Sequence, residues 1–229
     1  MNYTWKGAKN MVLYKIVLGK EKCIMEELDK YWDNIHKNYT SCYDGWLDKY
    51  IDLLKKDDVI VELGCGRAYA SNYLIDQGFS NITACDFSEE ALKIVREENK
   101  NLKTMNFDMS RGLPFNDNSI DIIIADLSLH YFNNKTTQYI INEIYRVIKS
   151  GGYLIGRVNS VNDSNHMSPN MKQIENHFFY DGAIYKRFFD KESIEKYFNK
   201  FEIYRIEEEK MDRYEKPKVL LEFCMMKSE

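Results

Sequence analysis

The alternation of short apolar runs with helical stripes constrains this chain most. Five runs of strand character occur at 59–61, 81–85, 102–107, 120–125 and 153–158. Helical periodicity lies between them: Ser88 begins one helix, and a stripe from Ile140 to Ile148 ends at Gly151. Near-continuous apolar strands separated by helices predict a parallel sheet covered on both faces.

The end of the chain predicts a different pairing. A helix at 190–199 precedes two strand-like segments, 201–207 and 219–226, with no helix between them. Strands joined without a crossover helix pair antiparallel. The predicted fold is therefore α/β: a Rossmann-like, mostly parallel seven-stranded sheet with helices on both faces and a C-terminal antiparallel hairpin. Before this sheet, apolar stripes at 24–39 and 43–54 predict two helices.

Composition narrows the class of protein. The 229 residues carry a net charge of −4, which gives no electrostatic basis for binding nucleic acid. The five cysteines are odd in number and lack C-x-x-C spacing, so we expect no disulfide framework, no zinc or other metal site, and a reducing, cytoplasmic location. Since no apolar run approaches about 18 residues, we expect no membrane span.

The first strand-to-helix turn contains the most informative motif. Glu62 precedes Gly64 and Gly66, whose backbone a ligand can approach closely. A dinucleotide-binding G-x-G-x-x-G would need glycine where Tyr69 stands. Glu62 is also unfavourable beside a pyrophosphate, but it suits a ligand with a positive amino group. An NAD-dependent oxidoreductase is therefore the most distant alternative.

With these residues, the sequence resembles the class I S-adenosylmethionine-dependent methyltransferases. Their first motif, acidic-x-G-x-G-x-G, is present from Glu62 to Ala68, with alanine at the last position. The resemblance covers about 58–226, is closest to small bacterial type 11 and tellurite-resistance-like methyltransferases, and implies S-adenosylmethionine as cofactor and S-adenosylhomocysteine as product. It implies an acid after the second strand for the ribose and one after the third for the adenine amino group. The implied cofactor-binding residues are Glu62, Gly64, Cys65, Gly66, Asp86, Phe87, Asp108, Met109, Asp126 and Leu127.

The loop after the fourth strand is where the family places the chemistry. Methyl transfer is an in-line displacement, for which positioning and desolvation supply most of the rate. If the acceptor must lose a proton, His130 is the predicted base, and a histidine packed under the following helix is the alternative. Members of the family that methylate amino groups of DNA, and some that act on RNA or protein, have Pro-Pro in this loop. The chain has neither Pro-Pro nor a Pro-Cys pair, so the resemblance does not imply these reactions or methylation of cytosine carbon.

Residues 159–189 are too long for an ordinary connection. Asp181-Gly182 between aromatic runs predicts a hairpin. We interpret this insert as an acceptor lid, and the alternative is a hairpin that only extends the sheet edge. Arg157 and Arg187 either bind an acidic acceptor or form ion pairs. The predicted organisation is one domain: an N-terminal helical lid (1–57), a cofactor-binding half (58–158), the lid insert (159–189) and the C-terminal helix and hairpin (190–229).

These observations predict a methyltransferase for a small-molecule acceptor, with no nucleic-acid or membrane partner and an undetermined oligomeric state. Two alternatives stay open. One is a methyltransferase acting on tRNA or protein, and the other is a sensor that binds S-adenosylmethionine without transferring its methyl group.

Overall fold

The computed structural model describes residues 31–35, 37 and 42–228. Its main feature is a seven-stranded sheet in the order β3-β2-β1-β4-β5-β10-β9. The first five strands run parallel, and β10 lies antiparallel between β5 and β9. This confirms the predicted fold class. The strands are β1 (Ile60–Leu63), β2 (Ile82–Asp86), β3 (Lys103–Asn106), β4 (Ile120–Asp126), β5 (Ile148–Asn159), β9 (Glu202–Met211) and β10 (Lys218–Met226).

Helices cover both faces of the sheet. On one face, a 3-10 helix (Asp48–Leu53), α1 (Tyr69–Asp76) and α2 (Glu89–Glu98) pack on the apolar side chains of the central strands. On the other, α3 (Asn134–Val147) and α4 (Lys191–Tyr197) form the larger apolar core. Ser88 caps α2 by accepting a hydrogen bond from the Ala91 N–H, as its sequence position predicts.

The junction of α3 and β5 differs from the prediction. The apolar stripe placed Ile148 in the helix, but α3 ends at Val147 and Ile148 is already extended. The strand then bulges: Ile120 pairs with Ile148, whereas Ile122 pairs with Tyr153. Gly151, with φ of 76°, lies in this bulge. The glycines therefore do not end a helix. They let the start of β5 bend while it stays in the sheet.

The insert forms a small sheet of its own. Strands β6 (Lys172–Glu175), β7 (Phe178–Tyr180) and β8 (Tyr185–Arg187) are antiparallel. The hairpin predicted at Asp181 is the β7–β8 connection, where the Asp181 carboxylate accepts hydrogen bonds from the Ala183 and Ile184 N–H groups. Strand β6 has no counterpart in the prediction, because its sequence lacks apolar alternation.

The structure agrees only in part with the two helices predicted before the sheet. Residues 31–35 are helical, and the rest of the stripe at 24–39, apart from residue 37, lies outside the described residues. The second stripe, 43–54, was predicted as one helix, but only the six-residue 3-10 helix forms there. Gly45, with φ of 79°, interrupts the helical backbone, and the Tyr43 hydroxyl accepts a hydrogen bond from the Leu47 N–H instead. Among the residues that the structure describes, none of the helices has the length and apolarity that crossing a membrane requires.

Candidate active site

A cavity of about 1340 Å³ opens at the carboxyl ends of the parallel strands. In open α/β sheets this edge is where ligands bind. The volume exceeds the roughly 300–1,000 Å³ of an ordinary small-ligand pocket, so there is room for two ligands. All ten residues predicted to bind the cofactor line it: Glu62, Gly64, Cys65, Gly66, Asp86, Phe87, Asp108, Met109, Asp126 and Leu127.

The loop after β1 winds through left-handed backbone conformations. Gly64, Gly66 and Ala68 have φ of 67°, 52° and 54°. At Gly64 an added Cβ would lie 2.4 Å from the Cβ of Ser128, so this position has no space for a side chain. The Ser128 hydroxyl in turn donates to the Leu63 carbonyl over 2.6 Å. The two loops are thereby held in direct contact beside the cavity.

Glu62 lies beneath this loop and is 3% exposed. Its carboxylate accepts hydrogen bonds from the backbone N–H of Ser71 (2.9 Å) and from the Ser71 hydroxyl (2.5 Å). Burial raises its pKa to about 7, against the effect of these hydrogen bonds. Glu62 therefore connects β1 to α1 on either side of the glycine loop, and it lines the cavity.

Asp86 joins the same loop to the end of β2. Its two carboxylate oxygens accept hydrogen bonds from the Gly66 N–H (2.8 Å) and the Ser88 N–H (2.9 Å). A carboxylate has about four acceptor sites, so this bonding leaves capacity for a ligand's hydroxyl groups. The geometry is compatible with the ribose role that the resemblance implies.

Asp108, after β3, has one carboxylate oxygen that accepts no hydrogen bond from the described residues. Its Oδ1 accepts from the Ser110 N–H over 2.9 Å, whereas its buried Oδ2 has no hydrogen-bond partner among the described residues. The Arg111 Nε lies 3.4 Å from Oδ2 but does not form a hydrogen bond. Phe87 and Met109 line the cavity beside it. A buried acceptor that lacks a hydrogen bond, next to apolar side chains, is compatible with an adenine ring and its amino group.

Cys65 is buried in the glycine loop, and burial raises the pKa of its thiol well above the ordinary value. A thiol held protonated is a poor nucleophile. Cys65 therefore acts as a small side chain that fills the loop.

Asp126 ends β4 within a cluster of four charged residues. Its carboxylate binds the guanidinium of Arg157 through two hydrogen bonds of 2.8 and 2.9 Å, and Arg213 donates to it over 3.0 Å. Asp44 accepts from both arginines, at 2.9 and 3.1 Å. Burial raises the pKa of Asp126, but the two arginines outweigh burial and lower it. We call these four residues the arginine clamp.

The clamp holds Leu127, the residue after Asp126, in place. It also shows that Arg157 forms ion pairs within the protein. Leu127 has φ of 58° and donates its N–H to the Arg157 carbonyl over 3.0 Å. Arg157 is 3% exposed, so it is not available to an acidic acceptor. Arg187 is likewise buried and donates to Glu175 and to the Phe132 carbonyl.

His130 lies away from the cavity surface. It is 1% exposed and is not among the residues that line the cavity in the described part of the chain. Its Nδ1 has no hydrogen-bond partner there, and burial lowers its pKa well below the ordinary value. The structure thus matches the packed-histidine alternative in position, and catalysis by His130 stays a prediction. Tyr131, the next residue, does line the cavity, with its ring 5.0 Å from that of Trp32.

The far end of the cavity is formed by parts of the chain that the sequence motifs do not mark. The insert contributes residues from β6, β7 and β8, and the β9–β10 loop contributes four consecutive residues. Most are aromatic or polar: His166, Ile174, Glu175, Phe178, Tyr185, Arg213, Tyr214, Glu215 and Lys216. Within this end, the His166 Nδ1 lies 3.1 Å from a carboxylate oxygen of the fully buried Asp163. Sequence reasoning missed the clamp because its contacts join residues far apart in the chain, and it missed the local Asp163–His166 pair because no motif marks it.

Comparison with known proteins gives an independent result. A family model described as "Methyltransferase domain" matches residues 61–156. A demethylmenaquinone methyltransferase of Listeria welshimeri is 30% identical over 155 residues, which cover 64% of this chain and 63% of that protein. The human mitochondrial arginine-hydroxylase NDUFAF5 is 29% identical over 109 residues, 48% of this chain and 31% of that protein. The chain thus spans from about a third to just under two thirds of the length of these relatives.

The fold has a counterpart among solved structures. A SAM-dependent methyltransferase from Methanosarcina mazei superposes with a TM-score of 0.69 at 21% identity, covering 82% of this chain and 99% of that one. This similarity concerns the fold. Residues 61–156 therefore match a methyltransferase domain, within a sheet that has the fold of a solved S-adenosylmethionine-dependent methyltransferase.

Proposed function

We propose that the protein transfers a methyl group from S-adenosylmethionine to a small-molecule acceptor. The observation that carries the proposal is that all ten predicted cofactor residues line one large cavity, in which they would form the cofactor end. Asp108 has a buried oxygen there that accepts no hydrogen bond from the described residues, and Gly64 and Gly66 of the glycine loop line the same cavity. The other end is free for an acceptor.

Different lining residues would bind different parts of S-adenosylmethionine. Asp86 would hold the ribose hydroxyls, Asp108 the adenine amino group, and Phe87 with Met109 the faces of the ring. S-adenosylmethionine supplies a methyl group on a positively charged sulfur, which leaves as a neutral thioether. The insert and the β9–β10 loop exclude water from the acceptor, which raises the reactivity of its nucleophile.

Three observations support a small acceptor over a macromolecule. The insert and the β9–β10 loop add walls to the acceptor end, which makes it a cavity and not the flat groove that a macromolecule needs. The net charge of −4 offers no attraction for RNA. The Listeria relative is named for the small molecule demethylmenaquinone.

The odd cysteine count without C-x-x-C spacing supports a cytoplasmic location as part of this proposal.

The test is transfer of a tritiated methyl group from S-adenosylmethionine into a cell extract separated into metabolite, RNA, protein and lipid fractions. We expect label in the metabolite fraction. Label in RNA or protein would show that the acceptor is a macromolecule and would contradict the proposed small-molecule acceptor. No label in any fraction, with S-adenosylhomocysteine still bound, would contradict methyl transfer and favour a sensor.

A further inference from the structure

Asp163 and His166 form a side-chain pair on one tight turn of the insert. The N–H groups of His166 and Met167 both donate to the Asp163 carbonyl, at 3.3 and 3.0 Å. This turn brings the Asp163 carboxylate to 3.1 Å from the His166 Nδ1. Asp163 is fully buried, and its second oxygen has no hydrogen-bond partner among the described residues. The His166 imidazole is therefore the side chain that the Asp163 carboxylate contacts by a hydrogen bond.

The pairing decides which nitrogen of His166 faces a ligand. A carboxylate is an acceptor only, so the neutral imidazole carries its proton on Nδ1 and presents the lone pair of Nε2. His166 lines the acceptor end of the cavity, and its Nε2 has no hydrogen-bond partner in the described part of the chain. This is the arrangement of an oriented general base.

The other described histidines lack these features. His130 is buried and is not a lining residue. His177 lies 3.7 Å from the Asp190 carboxylate, on the same insert, but is not a lining residue either. His166 alone among the described histidines combines a carboxylate partner with a place on the cavity wall.

We propose that His166, positioned by Asp163, is the general base for the methyl transfer, and that the acceptor is a neutral hydroxyl group on an aromatic ring. This inference rests on the proposed function. As the acceptor oxygen forms its bond to the methyl carbon, the carbon–sulfur bond breaks and its electron pair stays on sulfur. The hydroxyl proton passes to the Nε2 of His166, and the resulting imidazolium is stabilised by Asp163 until the proton leaves to solvent.

The lining of this end supports the acceptor class. Aromatic rings from four parts of the chain surround it: Trp32, Tyr131, Phe132, Phe178, Tyr185 and Tyr214. Rings pack favourably on aromatic ligands. The charges of Arg213 and Glu175 are matched within the protein, by the clamp and by Arg187. Because the charges of these two lining residues are matched within the protein, a neutral ligand is favoured, and a neutral hydroxyl must lose its proton to be methylated.

Several titratable groups surround His166 and bear on its pH dependence. Asp163 is on its own turn, and the ring of Tyr214 lies 6.3 Å from the imidazole. Arg213, Glu215 and Lys216 come from the same β9–β10 loop. Further titratable side chains at this end are Tyr131, Tyr185 and, near Asp163, Lys218.

The test compares His166→Gln and Asp163→Asn with the control His177→Gln, which removes the other histidine of the insert. The rate of label transfer into the metabolite fraction is expected to fall at least about 100-fold in His166→Gln, in the range for loss of a general base. His177→Gln should keep the wild-type rate. Affinity for S-adenosylhomocysteine should be unchanged in all three, which shows that they fold. The wild-type rate should rise with pH on the acid limb, and this limb should be lost in His166→Gln.

A second readout does not depend on turnover. Nitrogen-15 NMR of the histidine side chains should show the wild-type His166 with its proton on Nδ1. In Asp163→Asn the amide can donate to Nδ1, and the proton is expected to move to Nε2. Full activity of His166→Gln, or a wild-type proton on Nε2, would overturn the inference alone. A wild-type protein that labels no fraction would overturn the proposed function, and the inference with it.

Discussion

At the scale of single residues, backbone conformation decides which side chains the glycine loop accepts. Left-handed backbone costs an ordinary residue about 1–2 kcal/mol, whereas glycine adopts it freely. The sequence predicts this freedom at Gly64 and Gly66. It does not predict that Ala68 also has a left-handed backbone, with φ of 54°, because alanine carries no such preference.

Gly64→Ala tests the loop. The substitution adds left-handed strain and a clash with the Ser128 Cβ, which would lie 2.4 Å away. We expect a loss of about 3 kcal/mol in the free energy of unfolding and loss of S-adenosylhomocysteine binding. Gly78→Ala is the matched control, since φ is 87° there but nothing lies within 4 Å of the added Cβ. Urea denaturation should show a loss of only about 1 kcal/mol for it. Equal losses would contradict the steric argument.

Glu62 predicts a pH dependence of stability. Burial raises its pKa from 4.5 to about 7, so the folded protein holds a proton that the unfolded chain releases between these values. Its contribution to the free energy of unfolding therefore falls as pH rises through this window, by up to about 3 kcal/mol. Urea denaturation between about pH 5 and pH 8 should show Glu62→Gln gaining stability relative to wild type. Glu195→Gln, at an exposed position, should track wild type. If the difference in the free energy of unfolding between Glu62→Gln and wild type stayed constant across this pH range, the raised pKa of Glu62 would be refuted.

At the scale of secondary-structure elements, the arginine clamp connects four parts of the chain. Asp44 precedes the 3-10 helix, Asp126 ends β4, Arg157 belongs to β5 and Arg213 lies in the β9–β10 loop. Buried charges are stable only when each is paired. The clamp thereby holds the β9–β10 loop, with Tyr214, against the acceptor end of the cavity.

The clamp predicts unequal effects for its two arginines. Arg157→Met leaves Asp44 and Asp126 with only Arg213, so we expect a loss of about 3–5 kcal/mol in the free energy of unfolding. Arg213→Met leaves the Arg157 pairings intact and should cost less, while hydrogen exchange in 212–217 increases. Arg205→Met, which removes a half-exposed arginine of β9 outside the clamp, is the control. Unchanged exchange in Arg213→Met would show that the clamp does not hold the loop.

The sequence predicts elements better than it predicts their contacts. The succession of strands and helices along the chain and the terminal hairpin follow from apolar periodicity, which reports burial locally. The bulge at Gly151 and the break at Gly45 are missed because a glycine is compatible with both a helix end and a bent strand. Arg213 meets Asp44 across 169 positions, and no local pattern encodes such a contact. The Asp163–His166 pair is local, but its significance depends on the cavity that it faces.

At the scale of the whole molecule, different parts of the chain form the two ends of one cavity. The residues of the predicted cofactor end follow the parallel strands, and most of the acceptor end comes from the insert and the β9–β10 loop, which follow β5. This division explains why the cofactor side is visible in the sequence: short motifs at strand ends place their side chains at one edge of the sheet. The acceptor side has no such motif.

Calorimetric titration with S-adenosylhomocysteine tests the central claim most directly. The account predicts saturable binding to wild type that NADH does not displace. Asp108→Ala should weaken it by about 1–3 kcal/mol, a factor of roughly 5 to 150 in Kd, because its unpartnered Oδ2 is lost. Asp117→Ala, an exposed carboxylate paired with Arg146, should bind as wild type does. Absence of binding to wild type, or full affinity in Asp108→Ala, would contradict the assignment of this cavity end to the cofactor.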